Sequence, residues 1–230
     1  MEILITNDDG WGAKGILTLV RILTQLGHVT VVAPDGPRSG MSNAISVQQP
    51  MYLRPLNDPN WGTEEWHKNA TVYTTNGTPS DCVKLALDVL FEGDPSRINL
   101  LASGINHGSN AAVNVMYSGT MGAAIEGSFY NIPAIGLSLD DHDADADFEG
   151  AVEYGRKVIA AVLEAADRLP RPLCLNVNVP RCKAEEIQGI RLARQTRGFW
   201  REEFYERTDP HGRGYFWLTG AFQNAEPEAE

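Results

Sequence analysis

The chain has 230 residues, 43% hydrophobic and 21% charged, which is the usage of a globular protein and excludes disordered and fibrous classes. Nineteen Lys and Arg against thirty Asp and Glu leave a formal net charge of −11, which repels nucleic-acid polymers. A small phosphate ester remains accessible wherever a divalent cation or oriented backbone N–H groups reverse the local field.

Cys82, Cys174 and Cys182 show neither C-x-x-C nor zinc spacing, so a reducing, cytoplasmic setting is expected. No basic leader precedes an apolar run, and no stretch approaches the roughly 20 apolar residues that span a bilayer.

Glu2-Ile3-Leu4-Ile5-Thr6 reads as a buried strand that stops at Asn7-Asp8-Asp9-Gly10. Apolar residues then recur at helical spacing from Gly15 to Leu26, and Val29–Ala33 supplies a second strand. Such a β-α-β unit predicts a parallel sheet with helices on its faces and ligands at the carboxyl ends of its strands.

Residues 34–70, broken by Gly36, Pro37, Gly40, Pro50, Pro55 and Pro59, predict loops and at most a short hairpin. Val72-Tyr73-Thr74 is the next strand, and Thr78-Pro79-Ser80-Asp81 carries an N-cap, proline and acid that open a helix through Leu90. Asn99–Ser103 predicts a strand ending in the loop Gly104–Asn110. A small-residue helix from Ser118 to about Tyr130, a strand over 134–139, a helix over 149–166 and a strand over 173–179 follow.

The expected organisation is therefore an α/β core over 1–180 with a β-rich extension over 181–230, integrated as one domain. The terminal segment Ala225–Glu230 has no core-forming residues and is expected to be mobile.

Asp8 and Asp9 repel each other, and only Lys14 lies near them in sequence; a hard divalent cation, Mg²⁺ or Mn²⁺, would relieve that repulsion. The bland alternative is a solvated turn. A rival is Gly10-x-Gly12-x-x-Gly15, a dinucleotide fingerprint between strand and helix, with Asp35 as its ribose-binding acid. Against it, a pyrophosphate would lie beside two carboxylates.

Arg38-Ser39-Gly40 and Ser42-Asn43 follow the second strand and can reach the same crevice, although serine beside glycine is ordinary turn chemistry. Asn106 and Asn110 can ligate a cation or bind phosphate, or merely shape a loop. Ser118-Gly119-Thr120 offers hydroxyls, N–H groups and a helix dipole to phosphate, or simple capping.

The Asp140–Asp147 cluster fails as a calcium loop, because Ala146 and Val152 stand where glycine and glutamate belong. His107 and His142 lack a second histidine at ligand spacing, which disfavours zinc.

Five motifs in order resemble the stationary-phase survival protein SurE family: Ile5–Gly10, Ala33-Pro34-Asp35 with Arg38-Ser39-Gly40, Gly77–Cys82, Ser103–Asn106 and Tyr117–Thr120. The resemblance continues through Asn176–Pro180 to about Trp217. It implies a Rossmann-like core and divalent-metal-dependent hydrolysis of nucleoside monophosphates by a 5′(3′)-nucleotidase, with polyphosphate as a further candidate substrate.

It implies Asp8, Asp9, Ser39 and Asn106 as ligands of one divalent cation, and Asn110, Ser118, Gly119 and Thr120 as the phosphate pocket, with Ser42 and Asn43 on the active-site loop. The expected chemistry is attack by a metal-activated water with Asp8 or Asp9 accepting its proton; an aspartyl-phosphate route is the alternative. A non-catalytic nucleotide-binding module would use the same residues.

The family usually continues into a Thr-Asp and Gly-Tyr-Val-Ser segment that helps to build the oligomer, and this sequence stops short of it. The sequence is then read as a fragment or as having a different C-terminus, and a homodimer or homotetramer is the expected assembly.

Overall fold

The computed structural model describes residues 1–56, 61 and 68–226, apart from the side chains of Glu202 and Glu203. Two compact units emerge, one of Met1–Asn110 with Asn114–Ile190, the other of Ala111–Val113 with Arg191–Glu230. The segment after Pro180 stays with the first unit as far as Ile190, where Tyr154 donates its hydroxyl to Ile187 O at 2.7 Å.

The first unit is a seven-stranded sheet in the order β3-β4-β2-β1-β5-β6-β7. The strands are β1 (Glu2–Thr6), β2 (His28–Pro34), β3 (Leu53–Pro55), β4 (Ala70–Thr75), β5 (Leu100–His107), β6 (Ala134–Leu139) and β7 (Cys174–Val179). All pairings are parallel except that of β3 with β4, so setting β3 aside gives the doubly wound Rossmann order.

Alternation along β1 shows how the layers form. Ile3 and Ile5 pack with α1 (Lys14–Leu23) and α4 (Glu149–Glu164), while Leu4 faces α2 (Pro79–Leu85) and α3 (Gly119–Phe129). Ile3, Leu4 and Ile5 are fully buried, and each such side chain contributes about 1.5–3 kcal/mol of burial.

Three local expectations shift. The helix expected through Leu90 is α-helical only to Leu85 and finishes as a π-turn over Ala86–Leu90, where the N–H of Phe91 reaches Ala86 O. The strand expected to end at Ser103 runs on to His107 through a register shift between Gly104 and Asn106. That irregularity carries Asn106 on the strand end rather than in the loop. The expected loop region 34–70 contains β3, and its residues 57–60 and 62–67 lie outside the described residues.

The second unit is a two-stranded antiparallel ribbon of β8 (Gly198–Thr208) and β9 (Gly214–Asn224). Glu226, expected to be mobile, is instead held by Arg194 through both carboxylate oxygens at 2.9 and 2.8 Å, and by Arg197 at 3.2 Å. Residues 227–230 of that expectation lie outside the described residues. Among the described residues no helix is long and apolar enough to cross a membrane.

Candidate metal and phosphate site

Strand order reverses between β1 and β5, and a doubly wound sheet opens a ligand crevice at that point. Thr6 pairs with Ser103 across it. Asp8 and Asp9 follow Thr6 by two and three residues and Asn106 follows Ser103 by three, so the two strands deliver these side chains to the same edge.

Asp8 is 5% exposed. Its Oδ1 accepts the Thr120 hydroxyl at 2.6 Å and its carbonyl accepts the Arg38 N–H at 2.6 Å. Burial pushes its carboxyl up to about 6, the Thr120 hydrogen bond opposes that rise, and the Asp9 charge adds to it. Burial also raises Asp9, against the charge and backbone N–H of His107, which lower it.

Lys14, the only nearby cation in sequence, turns away: its Nζ donates to Ala146 O at 2.5 Å and lies over the Phe148 ring. No Lys or Arg ion pair reaches Asp8 or Asp9 among the described residues. Asp9 Oδ2 is buried without a hydrogen-bond partner. Two adjacent carboxylates, one with an orphaned buried oxygen and neither in an ion pair with Lys or Arg among the described residues, fit a divalent cation.

Asn106 suits the same ion. Its Nδ2 donates to His107 O at 3.2 Å and Gly108 O at 2.7 Å, leaving Oδ1 as the atom available for ligation. Ser39 is exposed on the β2–β3 loop, one residue beyond the Arg38 N–H that contacts Asp8. Oxygen donors alone favour Mg²⁺ or Mn²⁺ over zinc.

The residues expected around phosphate divide into two groups. Ser118, the N-cap of α3, accepts the Met121 N–H at 3.0 Å and keeps its own hydroxyl hydrogen to give. Gly119 lies against Asp8, where an added Cβ would come within 2.8 Å of Asp8 Cβ and 3.1 Å of Pro79 Cγ. The starts of α2 and α3 therefore converge on Asp8.

Asn43 and Asn110 are tied elsewhere. Asn43 Nδ2 donates to Gly122 O at 3.3 Å, and Ser42 N–H to Tyr117 O at 3.1 Å, which lays that loop on α3. Asn110 Nδ2 donates to Ser138 Oγ at 2.9 Å, its N–H to Asn178 Oδ1 at 2.8 Å, and its carbonyl accepts from Asn176 at 2.8 Å. These bonds fix Asn110 over the ends of β6 and β7.

Sequence reasoning weighs His107 only as a zinc ligand, whereas its backbone N–H and charge act on Asp9, and it gives no role to Asn176 and Asn178, which hold Asn110. Their spacing of two on a strand, which puts both on one face, was the signal available for the pair.

The dinucleotide rival loses its supports. A Cβ on Gly15 would stand 1.9 Å from Ile105 O, so this glycine serves the packing of α1 on β5. Asp35, its ribose acid, is bound to Arg38 at 2.8 Å. The acidic run is structural as well: Asp147 accepts the Glu149 N–H at 2.9 Å at the start of α4, and Asp141 and Asp143 pair with Arg181.

Comparison with known proteins agrees with the geometry. The family model described as Survival protein SurE matches residues 3–202. A 5′-nucleotidase SurE of Flavobacterium psychrophilum is 44% identical over 222 residues, 96% of this chain and 82% of the relative. One of Phocaeicola vulgatus is 46% identical over 228 residues, 99% and 83% of the two chains.

The crystal structure of the SurE protein from Aquifex aeolicus superposes with a TM-score of 0.77 at 32% identity, covering 96% of this chain and 82% of that one. A match spanning the switch point, the loop that carries Ser39 and the start of α3 leaves one assignment: the chain belongs to the SurE family.

Proposed function

We propose that this protein is a 5′-nucleotidase that hydrolyses nucleoside monophosphates to nucleoside and phosphate with one divalent cation, Mg²⁺ or Mn²⁺, held by Asp8, Asp9, Ser39 and Asn106. The observation that carries the reading is the delivery of Asp8, Asp9 and Asn106 to one strand edge at the switch point, with Asp9 Oδ2 buried and unpartnered. The relatives' names support the activity.

A cation bound there supplies charge neutralisation at the phosphate and acidifies water. The chain's own groups do the rest. The N-terminus of α3 and the Ser118 hydroxyl give a phosphate dianion donors and a favourable dipole. Asp9, the less constrained carboxylate, takes the proton from the attacking water, whereas Asp8 is held by Thr120 and Arg38. Asn110 is proposed to line the phosphate pocket with its amide anchored on Ser138, Asn43 braces its loop on α3, and Gly119 leaves the room that Asp8 occupies.

The protein is further proposed to act in the cytoplasm as a homo-oligomer, readings that rest on three free thiols and on an exposed aromatic ribbon. The test of function is phosphate release from nucleoside 5′- and 3′-monophosphates and polyphosphate, run beside a titration with NAD. Turnover of monophosphates without NAD binding is expected. NAD binding without turnover would replace this reading with the dinucleotide one, and nucleotide binding without turnover would replace it with the binding module.

A further inference from the structure

Thr120 lies in the segment that the sequence assigns to phosphate, yet its hydroxyl is already committed. It is fully buried and donates to Asp8 Oδ1 at 2.6 Å, the length of a charge-assisted O–H···O⁻ bond. A hydroxyl has one hydrogen. Once that hydrogen goes to Asp8, only lone pairs remain, and lone pairs repel the oxygens of a phosphate dianion.

The neighbouring groups differ in this respect. Ser118 accepts from Met121 and keeps its hydrogen, so it can serve phosphate. Thr120 stands at the second position of α3, its backbone N–H also acting on Asp8, and Gly119 fits against the same carboxylate. Asp8 is thus gripped from one side by the start of α3. The Thr120 bond restrains the torsion of the carboxyl group through Oδ1 and leaves Oδ2, which lies beside Gly119, as the oxygen that a cation would take.

We infer that Thr120 is a positioning residue for the metal centre: by holding Asp8 Oδ1 its hydroxyl orients the carboxylate for cation binding, and that hydroxyl makes no hydrogen bond to the phosphate. This rests on the proposed metal site. Partners that orient metal ligands in this way typically contribute about 10–100-fold in metal affinity.

The test measures Mn²⁺ binding to the chelator-treated, full-length protein by the electron paramagnetic resonance of the free ion, with no substrate present. Inorganic phosphate affinity is then measured at saturating Mn²⁺. The variants are Thr120→Val, Thr120→Ala and Thr120→Ser, each checked for folding by circular dichroism; the alanine variant, which cannot clash, carries the comparison if valine disrupts the fold.

The expected result is a Kd for Mn²⁺ raised about 10–100-fold in the valine and alanine variants, restored by serine, with phosphate affinity unchanged once Mn²⁺ saturates. Wild-type Mn²⁺ affinity in Thr120→Ala with weakened phosphate binding would overturn the inference and make Thr120 a phosphate donor. A serine variant as defective as alanine would also overturn it, since the methyl group rather than the hydroxyl would then matter. A wild-type protein that takes up no Mn²⁺ would instead remove the metal site itself.

Discussion

Replacing Asp8 by Asn removes a buried charge while keeping an oxygen that can accept the Thr120 hydroxyl. In the metal-free protein the folded carboxyl titrates at about 6 against an ordinary 3.8. The folded state therefore binds the proton more tightly. Its stabilising contribution is complete below the unfolded value near 3.8 and is lost as pH rises to about 6.

At about 1.4 kcal/mol per pH unit, that interval corresponds to a penalty of at most about 3 kcal/mol at neutral pH. Asn carries no such penalty. Urea unfolding in the presence of chelator should show Asp8→Asn more stable than wild type at pH 7 by up to about 3 kcal/mol, with the gap closing towards pH 4. A variant no more stable at pH 7, or a gap that ignores pH, would refute the claim that Asp8 is a buried charge awaiting a cation.

Other consequences are equally open to measurement. Gly119→Ala, whose Cβ would meet Asp8 Cβ at 2.8 Å, should lower stability by about 1–3 kcal/mol and weaken Mn²⁺ uptake; wild-type melting and Mn²⁺ affinity would contradict this close fit. Mn²⁺ at about 100 times its Kd should stabilise wild type by about 2.7 kcal/mol in thermal unfolding and leave Asp9→Ala unmoved; an equal shift in both proteins would place the ion elsewhere.

The ribbon exposes Phe204 at 61%, Phe216 at 62% and Trp217 at 63%, and an isolated two-stranded ribbon is marginal in water. Light scattering should therefore find a homo-oligomer that Trp217→Ser weakens; a wild-type monomer would sink that reading.

The parts of the fold that announce themselves locally were legible in the sequence. Thr78-Pro79-Ser80-Asp81 predicted a helix start, and the structure has the full capping box, with Asp81 Oδ2 accepting the Thr78 N–H at 2.9 Å and Thr78 Oγ1 the Asp81 N–H at 3.1 Å. Asp8 and Asp9 were legible because two adjacent carboxylates at a strand end demand an explanation. The bond from Thr120 to Asp8 was not, since it joins residues 112 positions apart. The destination of Lys14 was hidden for the same reason, as its acceptor, Ala146, is 132 positions away. The extension of β5 to His107 depends on pairing with β6, which no local pattern records.

The most direct test of the account strips the protein of metal, assays phosphate release from a nucleoside 5′-monophosphate, and repeats the assay after adding Mn²⁺ or Mg²⁺, with Asp9→Asn alongside. The account predicts that release is absent after stripping, returns with the cation, and does not return in the variant. Release that persists in stripped protein, or that Asp9→Asn restores to wild-type rate, would contradict it.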